Sequence, residues 1–138
     1  MKRLLVLLLV LVVNQAYAEN GKSASAGYEK WQKECSGCHV AYPPHMLSGE
    51  NWQQLMGGLD KHFGSNAALD VRENKTIREF LKRYAGGGPK YESASLRISE
   101  TPWFHREHRV ISEKEWNLPE VKTRSNCTAC HGKKVIGD

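Results

Sequence analysis

Two copies of the pentapeptide Cys-x-x-Cys-His, at residues 35–39 and 127–131, contain every cysteine of this 138-residue chain. The thiols are Cys35 and Cys38 in the first copy and Cys127 and Cys130 in the second, and the closing histidines are His39 and His131. This pentapeptide is the attachment sequence for c-type haem, because its spacing lets both thiols add to the vinyl groups of one porphyrin. The adjacent histidine can then bind the iron as its proximal ligand. The sequence therefore predicts two covalently attached haems.

Four cysteines have two other common uses, as a pair of disulfides or as a zinc site. Small exported chains often contain disulfides, and paired Cys-x-x-Cys units resemble structural zinc sites. Neither use explains why a histidine directly follows both pairs. The stretch between Cys38 and Cys127 is also far longer than the roughly 15–20 residues between the pairs of a zinc ribbon. Haem attachment is therefore the favoured interpretation.

The N-terminus has the pattern of a secretory signal peptide. Lys2 and Arg3 precede an apolar run from Leu4 to Val13, and a small-x-small cleavage site ends at Ala18. The alternative is an uncleaved membrane anchor, but the apolar run is too short to span a bilayer. Because c-type haem is attached outside the bacterial cytoplasm, residues 1–18 predict export to the periplasm.

The composition bounds the fold and the partners. The formal net charge is +5, and its basic residues are scattered rather than gathered in a run that would indicate nucleic-acid binding. Only 40% of the residues are hydrophobic, which is little for a conventional core in a chain of this size. Two buried porphyrins would supply much of the missing apolar surface. We expect a mainly α, loop-rich fold in which the two haems form much of the core and short helices surround each.

The order of segments suggests two haem lobes within one compact domain. Residues 19–27 are rich in Gly, Ser and Ala and are expected to be flexible. A first haem lobe is expected at residues 28–88 and a second at residues 89–138, with the boundary at the Gly-rich stretch that ends at Pro89.

Short helices are expected around each haem motif, and no strand signal is strong enough to predict a sheet. Apolar spacing and capping residues predict helices over residues 28–40, 50–63 and 74–85, with capping near Asn74 or Thr76 in the last. Further helices are expected to begin at Thr101-Pro102 and at Ser112, and a last one to contain the second haem motif.

The second axial ligand of each iron decides between an electron carrier and an enzyme, because an open face admits a substrate. His62 is the strongest candidate, since it lies on the same predicted helix face as Leu55 and Leu59. A histidine there can also be a satisfied core residue. Met56 lies near that face and can equally pack as a flexible core side chain.

The second half of the chain contains two further candidates. His105 and His108 are three residues apart, so both could approach the same haem, and the spacing does not choose between them. His45 follows two prolines in a predicted turn, where a solvated side chain is expected.

Several stretches outside the haem motifs resemble the small, periplasmic, bis-histidine dihaem cytochromes c of bacteria. They are Trp52-x-x-Leu55-Met56-x-x-Leu59-x-x-His62-Phe63-Gly64 with Ala67 and Leu69-Asp70, Tyr42-Pro43-Pro44, Arg97-Ile98 before Thr101-Pro102, Arg106-Glu107-His108, and Asn126 before Cys127. The resemblance extends over residues 28–137.

The resemblance implies that His62 and His108 are the distal iron ligands, with His105 as the alternative to His108. Sequence proximity then pairs His39 with His62 and His131 with His108. His45 and His105 stand where the family pattern requires no histidine.

Bis-histidine ligation predicts the function of the chain. Two imidazoles leave no open face on an iron, and without a methionine ligand both haems are expected to have low potentials. We therefore expect an electron carrier rather than an enzyme, with no small-molecule substrate. The family implies redox protein partners, such as a membrane cytochrome b donor at which the chain docks transiently and a haem-protein or reductase acceptor. The alternatives are a peroxidase-like dihaem enzyme or sensor with one open face, and an electron-transfer subunit of a larger reductase.

Overall fold

The structure is a computed structural model that describes residues 26–132. The α-helices in this stretch are α1 at residues 26–35, α2 at Gly49–Gly57, α3 at Val71–Tyr84, α4 at Pro102–Glu107, α5 at Glu113–Trp116 and α6 at Thr128–His131. Short 3-10 helices lie at Pro44–Met46, Leu59–Lys61, Pro89–Tyr91 and Ile98–Glu100. The predicted signal peptide lies outside the described residues, as do most of the segment 19–27 and the end of the second predicted lobe.

The expected mainly α, loop-rich architecture is confirmed. Within residues 26–132 there is no named strand, and β-type pairing is confined to two isolated bridges, between Ser48 and Gly86 and between His62 and Ser65. None of the helices in this stretch has both the length and the apolar character that crossing a bilayer requires.

The side-chain core lies almost entirely in the first half of the chain. It is built from α1, α2, α3 and the loops between them, and its buried members are Trp31, Ala41, Leu47, Trp52, Met56, Leu59, Ile77, Phe80 and Leu81. After Leu81, the buried hydrophobic residues of the described chain are only Phe104 and Val121. The second half therefore has little side-chain core of its own, which agrees with a fold built around cofactors.

An aromatic cluster joins α1 to α3. The Trp31 ring lies 5.6 Å from Phe80 and 5.5 Å from Tyr28, between ring centroids. Gly27 permits this close approach, because a Cβ at that position would lie 2.6 Å from the Cβ of Phe80. Such aromatic pairs stabilise a fold by about 0.5–1.5 kcal/mol each beyond the area they bury.

The first predicted helix is shorter than expected. Residues 28–40 were expected to be helical through the first haem motif, but α1 ends at residue 35. The Ser36 hydroxyl donates to the Gln32 carbonyl at 2.5 Å, at the point where the helix stops. A side chain that bonds to the backbone in this way competes with continued helix formation. Most of the haem motif therefore lies in a turn.

The prediction of one helix over residues 50–63 is wrong. Helix α2 ends at Gly57, and a separate 3-10 helix follows at Leu59–Lys61. Two consecutive glycines make continued helix expensive, at about 1 kcal/mol each. His62 is thus the residue that ends the 3-10 helix, rather than a position on the face of a long helix.

Helix α3 begins earlier than residue 74. The Asp70 side chain accepts a hydrogen bond from the Arg72 N–H and caps the helix, so Val71 is its first residue. Asn74 is not a cap. Its side chain instead donates to the Met56 carbonyl at 3.0 Å and joins α3 to α2.

The two predicted starts in the second half are confirmed. The Thr101 hydroxyl accepts from the Phe104 N–H, with Pro102 as the first residue of α4. Ser112 and Glu115 form a reciprocal capping box at the start of α5. The expected last helix is present as α6, which contains the closing part of the second haem motif.

Hydrogen bonds cross the predicted boundary between the lobes. The Ser48 N–H donates to the Tyr91 carbonyl at 2.8 Å, and the Ser93 N–H donates to the Asn51 side chain at 2.8 Å. The chain after the Gly-rich stretch therefore packs directly on the start of α2. The division into lobes at residues 28–88 and 89–138 stays a prediction.

Candidate haem sites

The first histidine pair consists of His39 and His62. His39 follows the turn after α1, and His62 follows the 3-10 helix at Leu59–Lys61. Their ring centroids are 6.3 Å apart and their ring planes differ by 25°. The fold therefore brings the histidine of the first haem motif next to the strongest distal candidate.

The second histidine pair consists of His108 and His131. His108 ends α4 and His131 is the last residue of α6. Their ring centroids are 5.9 Å apart and their ring planes differ by 87°. Each haem motif thus has one additional histidine beside its own.

The separations within both pairs suit two imidazoles on one iron. Metal–imidazole bonds of about 2 Å on opposite sides, plus about 1 Å from each nitrogen to its ring centre, place the centroids about 6 Å apart. The residues present therefore fit an iron centre between each pair.

Hydrogen bonds orient one ring of each pair. The His39 ring bonds through Nδ1 to the Val40 carbonyl at 2.7 Å, and the His108 ring bonds through Nδ1 to the Phe104 carbonyl at 2.9 Å. A carbonyl only accepts hydrogen bonds, so Nδ1 is the donor in both rings. Nε2 then carries the lone pair that binds a metal.

The four cysteines are arranged alike in the two motifs. Cys35 and Cys127 are partly buried, whereas Cys38 and Cys130 are exposed. Burial, with a smaller effect of Glu34, raises the pKa of the Cys35 thiol to about 11, and burial likewise raises the pKa of the Cys127 thiol. Before haem attachment, both partly buried cysteines are therefore neutral thiols at ordinary pH.

The alternatives of disulfides and zinc find no support in this arrangement. All four cysteines lie within the described residues, and none is paired with another. Within residues 26–132 there is also no group of three or more His, Cys, Asp or Glu side chains placed to hold one metal ion. The thiols are therefore not gathered as a zinc ribbon requires.

The other candidate ligands lie elsewhere. His105 is exposed, and its nearest ring within the described chain is Phe104 at 6.2 Å. His45 is exposed in the 3-10 helix at Pro44–Met46, as expected for a solvated side chain. Met56 is 4% exposed and belongs to the core between α2 and α3.

Tyr42 is a site residue that periodicity did not single out. Its ring lies 4.7 Å from the His39 ring, with the planes 25° apart, and its hydroxyl donates to the Ser125 carbonyl at 2.6 Å. Burial, followed by the charge of Cys127, raises the pKa of Tyr42 to about 12. Its position three residues after the haem motif was the available sequence signal.

Phe104 and Trp116 surround His108. The Phe104 ring stacks on the His108 ring, with centroids 4.0 Å apart and 21° between the planes. The centroid of the Trp116 ring lies 5.8 Å from that of the same histidine. Phe104 precedes His108 by four residues, a spacing that places both on one helix face. The sequence therefore contained a signal for Phe104, whereas Trp116 is brought in from α5.

His62 is held in an aromatic and basic environment. Its ring lies 4.9 Å from the Phe63 ring, and the Arg97 guanidinium lies 4.2 Å from the centre of Phe63. Burial lowers the pKa of His62, with smaller contributions from His39 and Arg97. The imidazole is therefore kept neutral, which is the form that binds a metal.

A helical fold with two Cys-x-x-Cys-His motifs, each beside a histidine pair, defines a c-type cytochrome with two haem sites. The family described as dihaem cytochrome c matches residues 31–137 of the sequence. The chain belongs to this dihaem cytochrome c family, which implies two covalently attached c-type haems. No curated protein matches the sequence.

Solved structures of dihaem cytochromes c are similar to this fold. The structure of DHC purified from Rhodobacter sphaeroides is 38% identical, with a TM-score of 0.65, and the match covers 75% of this chain and 88% of that one. A new dihaem cytochrome c from Shewanella baltica is 31% identical, with a TM-score of 0.69 and coverage of 81% and 88%. A second Rhodobacter sphaeroides structure, a dihaem cytochrome c, is 34% identical, with a TM-score of 0.68 and coverage of 78% and 94%.

Proposed function

We propose that this chain is an electron carrier in which His39 with His62, and His131 with His108, bind one haem iron each. The observation that carries the proposal is the pairing itself, with ring centroids 6.3 Å apart in the first pair and 5.9 Å in the second. When bound, the two haems supply one-electron exchange between ferric and ferrous iron.

The histidines decide how that chemistry is used. An imidazole on both faces of an iron excludes a substrate or a gas from it. The Nδ1 hydrogen bonds of His39 and His108 hold two of the rings in one tautomer and one orientation. A centre whose ligands are already in place changes little on reduction, which favours rapid electron exchange.

Contacts between the two sites support a relay rather than two independent centres. Tyr42 packs on His39 and bonds to Ser125, which lies two residues before Cys127. Arg97, from the second half of the chain, packs on the Phe63 ring beside His62. The hydrogen bond between Tyr42 and Ser125 thus joins the first site to the segment that leads into the second haem motif.

The location and the partners follow from the same proposal. The signal peptide predicted at residues 1–18 supports export to the periplasm, where c-type haem is attached. With no open iron face, the chain would exchange electrons with other redox proteins rather than with a small molecule. Transient docking at a membrane cytochrome would supply the electrons, and a haem protein or a reductase would accept them.

Carbon monoxide binding tests whether the iron faces are closed. The fully reduced holoprotein should keep its visible spectrum when carbon monoxide is added at neutral pH. The variants His62→Ala and His108→Ala should each open one site, so that half of the haem binds carbon monoxide. His45→Ala and His105→Ala are matched controls, and both should behave like the native protein.

Three results would decide against this assignment. Rapid carbon monoxide binding by the native protein would indicate a peroxidase-like enzyme or a sensor with an open face. If His105→Ala allowed carbon monoxide to bind and His108→Ala did not, His105 rather than His108 would be the distal ligand of the second site. Stable copurification with a catalytic chain would show that the protein is an electron-transfer subunit of a larger reductase rather than a free carrier.

A further inference from the structure

The two histidine pairs differ in the relative orientation of their rings. The planes of His39 and His62 are 25° apart, whereas those of His108 and His131 are 87° apart. The centroid separations are nearly equal, at 6.3 and 5.9 Å. Orientation, rather than distance, therefore distinguishes the two sites.

Ring orientation changes the electronic structure of an iron that binds both imidazoles. In low-spin ferric iron, the unpaired electron occupies one of two d orbitals that overlap with the ligand π systems. Parallel imidazoles act on the same orbital and separate the two in energy. Perpendicular imidazoles act on different orbitals and leave the two energies nearly equal. The geometry of axial ligands is thus one way in which a protein tunes its haem iron.

Tyr42 packs against the His39 ring. It stacks on His39 with 25° between the planes, and the hydrogen bond to the Ser125 carbonyl holds its other end. The His39 ring is further tied to the Val40 carbonyl through Nδ1. If the His39 imidazole turned out of its present plane, it would therefore lose the stacking contact with Tyr42 or the hydrogen bond to Val40.

Phe104 makes the corresponding contacts at the second pair. Its ring stacks on His108 at 4.0 Å, and its carbonyl accepts the His108 Nδ1–H. Phe104 is 4% exposed, and its own N–H donates to the buried Thr101 hydroxyl at 3.1 Å. The residue that stacks on His108 is thus itself held by the cap of α4.

We propose that Tyr42 and Phe104 are positioning residues that hold the two histidine pairs at different ring angles, so that the two irons have different low-spin ferric signatures. The His39–His62 site has the nearly parallel geometry, which gives a rhombic signal with three resolved g values. The His108–His131 site has the nearly perpendicular geometry, which gives a strongly anisotropic signal with one low-field feature. This inference rests on the proposed bis-histidine ligation.

Low-temperature electron paramagnetic resonance of the oxidised holoprotein tests the inference without any substitution. The native protein should show both signals in equal amounts. Two rhombic signals, or two strongly anisotropic ones, would overturn the proposed difference in ring angle while leaving bis-histidine ligation intact. A high-spin ferric signal would instead contradict the ligation on which the inference rests.

Substitutions then assign each signal to its positioning residue. Tyr42→Leu should shift or broaden the rhombic signal alone, and Tyr42→Phe, which keeps the stacking ring, should restore it. Phe104→Leu should shift the anisotropic signal alone. Each variant should keep a low-spin visible spectrum, which shows that ligation survives. If Tyr42→Leu or Phe104→Leu kept its ligation and left its signal unchanged, the substituted residue would not be a positioning residue.

Discussion

The Tyr42 hydroxyl donates a hydrogen bond to the Ser125 carbonyl at 2.6 Å, across 83 positions of the sequence. The ring of the same side chain packs on His39. One residue therefore joins the end of the first haem motif to the segment that leads into the second.

The Tyr42 hydroxyl should make stability depend on pH in the alkaline range. Its pKa is raised from 10.0 to about 12, first by burial, so the folded state binds this proton more tightly than the unfolded state. Its contribution is complete below pH 10 and is lost as the pH rises towards about 12. Thioether formation at Cys127 removes the second cause and leaves burial.

Urea unfolding of holoprotein on both sides of this range measures the effect. Tyr42→Phe should be less stable than the native protein near neutral pH, by about 0.5–1.5 kcal/mol for the lost hydrogen bond. The difference should shrink at high pH, where the native hydroxyl is ionised. A difference that stays constant across the range would contradict the assignment.

Covalent attachment should follow the two motifs independently. Mass spectrometry of the matured native chain should show two haem increments, because each motif provides its own pair of thiols. A variant with Cys35→Ala and Cys38→Ala should retain a single increment. The equivalent change at Cys127 and Cys130 is the reciprocal control. A native chain without added mass would contradict the attachment itself.

The Thr101 hydroxyl should be required for stability at the start of α4. It accepts from the Phe104 N–H and donates to the Ile98 carbonyl at 2.8 Å, and the side chain is fully buried. Thr101→Val keeps the shape and removes both bonds, so we expect a loss of about 0.5–2 kcal/mol in urea unfolding. Thr101→Ser retains the cap and should recover most of that difference. Equal stability of the valine and serine variants would show that the hydroxyl contributes little.

Gly86 and Gly87 offer a matched test of close backbone packing. A Cβ at Gly86 would collide with the His45 carbonyl oxygen and with the Tyr91 ring, whereas a Cβ at Gly87 meets nothing within 4 Å. Gly86→Ala should therefore lower the free energy of unfolding by about 1–3 kcal/mol through forced backbone shifts. Gly87→Ala should leave it nearly unchanged. Similar midpoints for both variants in urea would refute the packing seen at Gly86.

Helix α3 provides a core substitution and a surface control on one element. Ile77 and Val71 both belong to α3. Ile77 is fully buried, whereas Val71 is 82% exposed. Ile77→Ala should cost roughly 2–5 kcal/mol, because it removes buried methyl groups and leaves a cavity. Val71→Ala should change stability by no more than about 0.5 kcal/mol. Thermal or urea unfolding that ranks the two variants equally would contradict this packing.

The elements that the sequence predicted well depend on local interactions. The capped starts at Thr101 and Ser112 use hydrogen bonds between residues three positions apart. Their spacing can be read directly from the chain. The boundaries that were wrong have mixed causes. The Ser36–Gln32 bond and the pair Gly57-Gly58 act locally, where several signals compete. Asn74, in contrast, bonds to a partner far away in the sequence. Asn74 is turned away from a capping role by the Met56 carbonyl, which belongs to a different helix.

The sequence by itself determined the cofactor, because the spacing of two thiols and a histidine within five residues specifies haem attachment. It also narrowed the distal iron ligands to a few candidate side chains. Only the tertiary structure placed His108 rather than His105 beside His131, since spacing along one short helix allowed both. The sequence likewise could not predict the angles of 25° and 87° between the ring planes of the two histidine pairs. They depend on Tyr42 and Phe104 packing against histidines under the constraint of hydrogen bonds and neighbouring elements, which exist only in the folded chain.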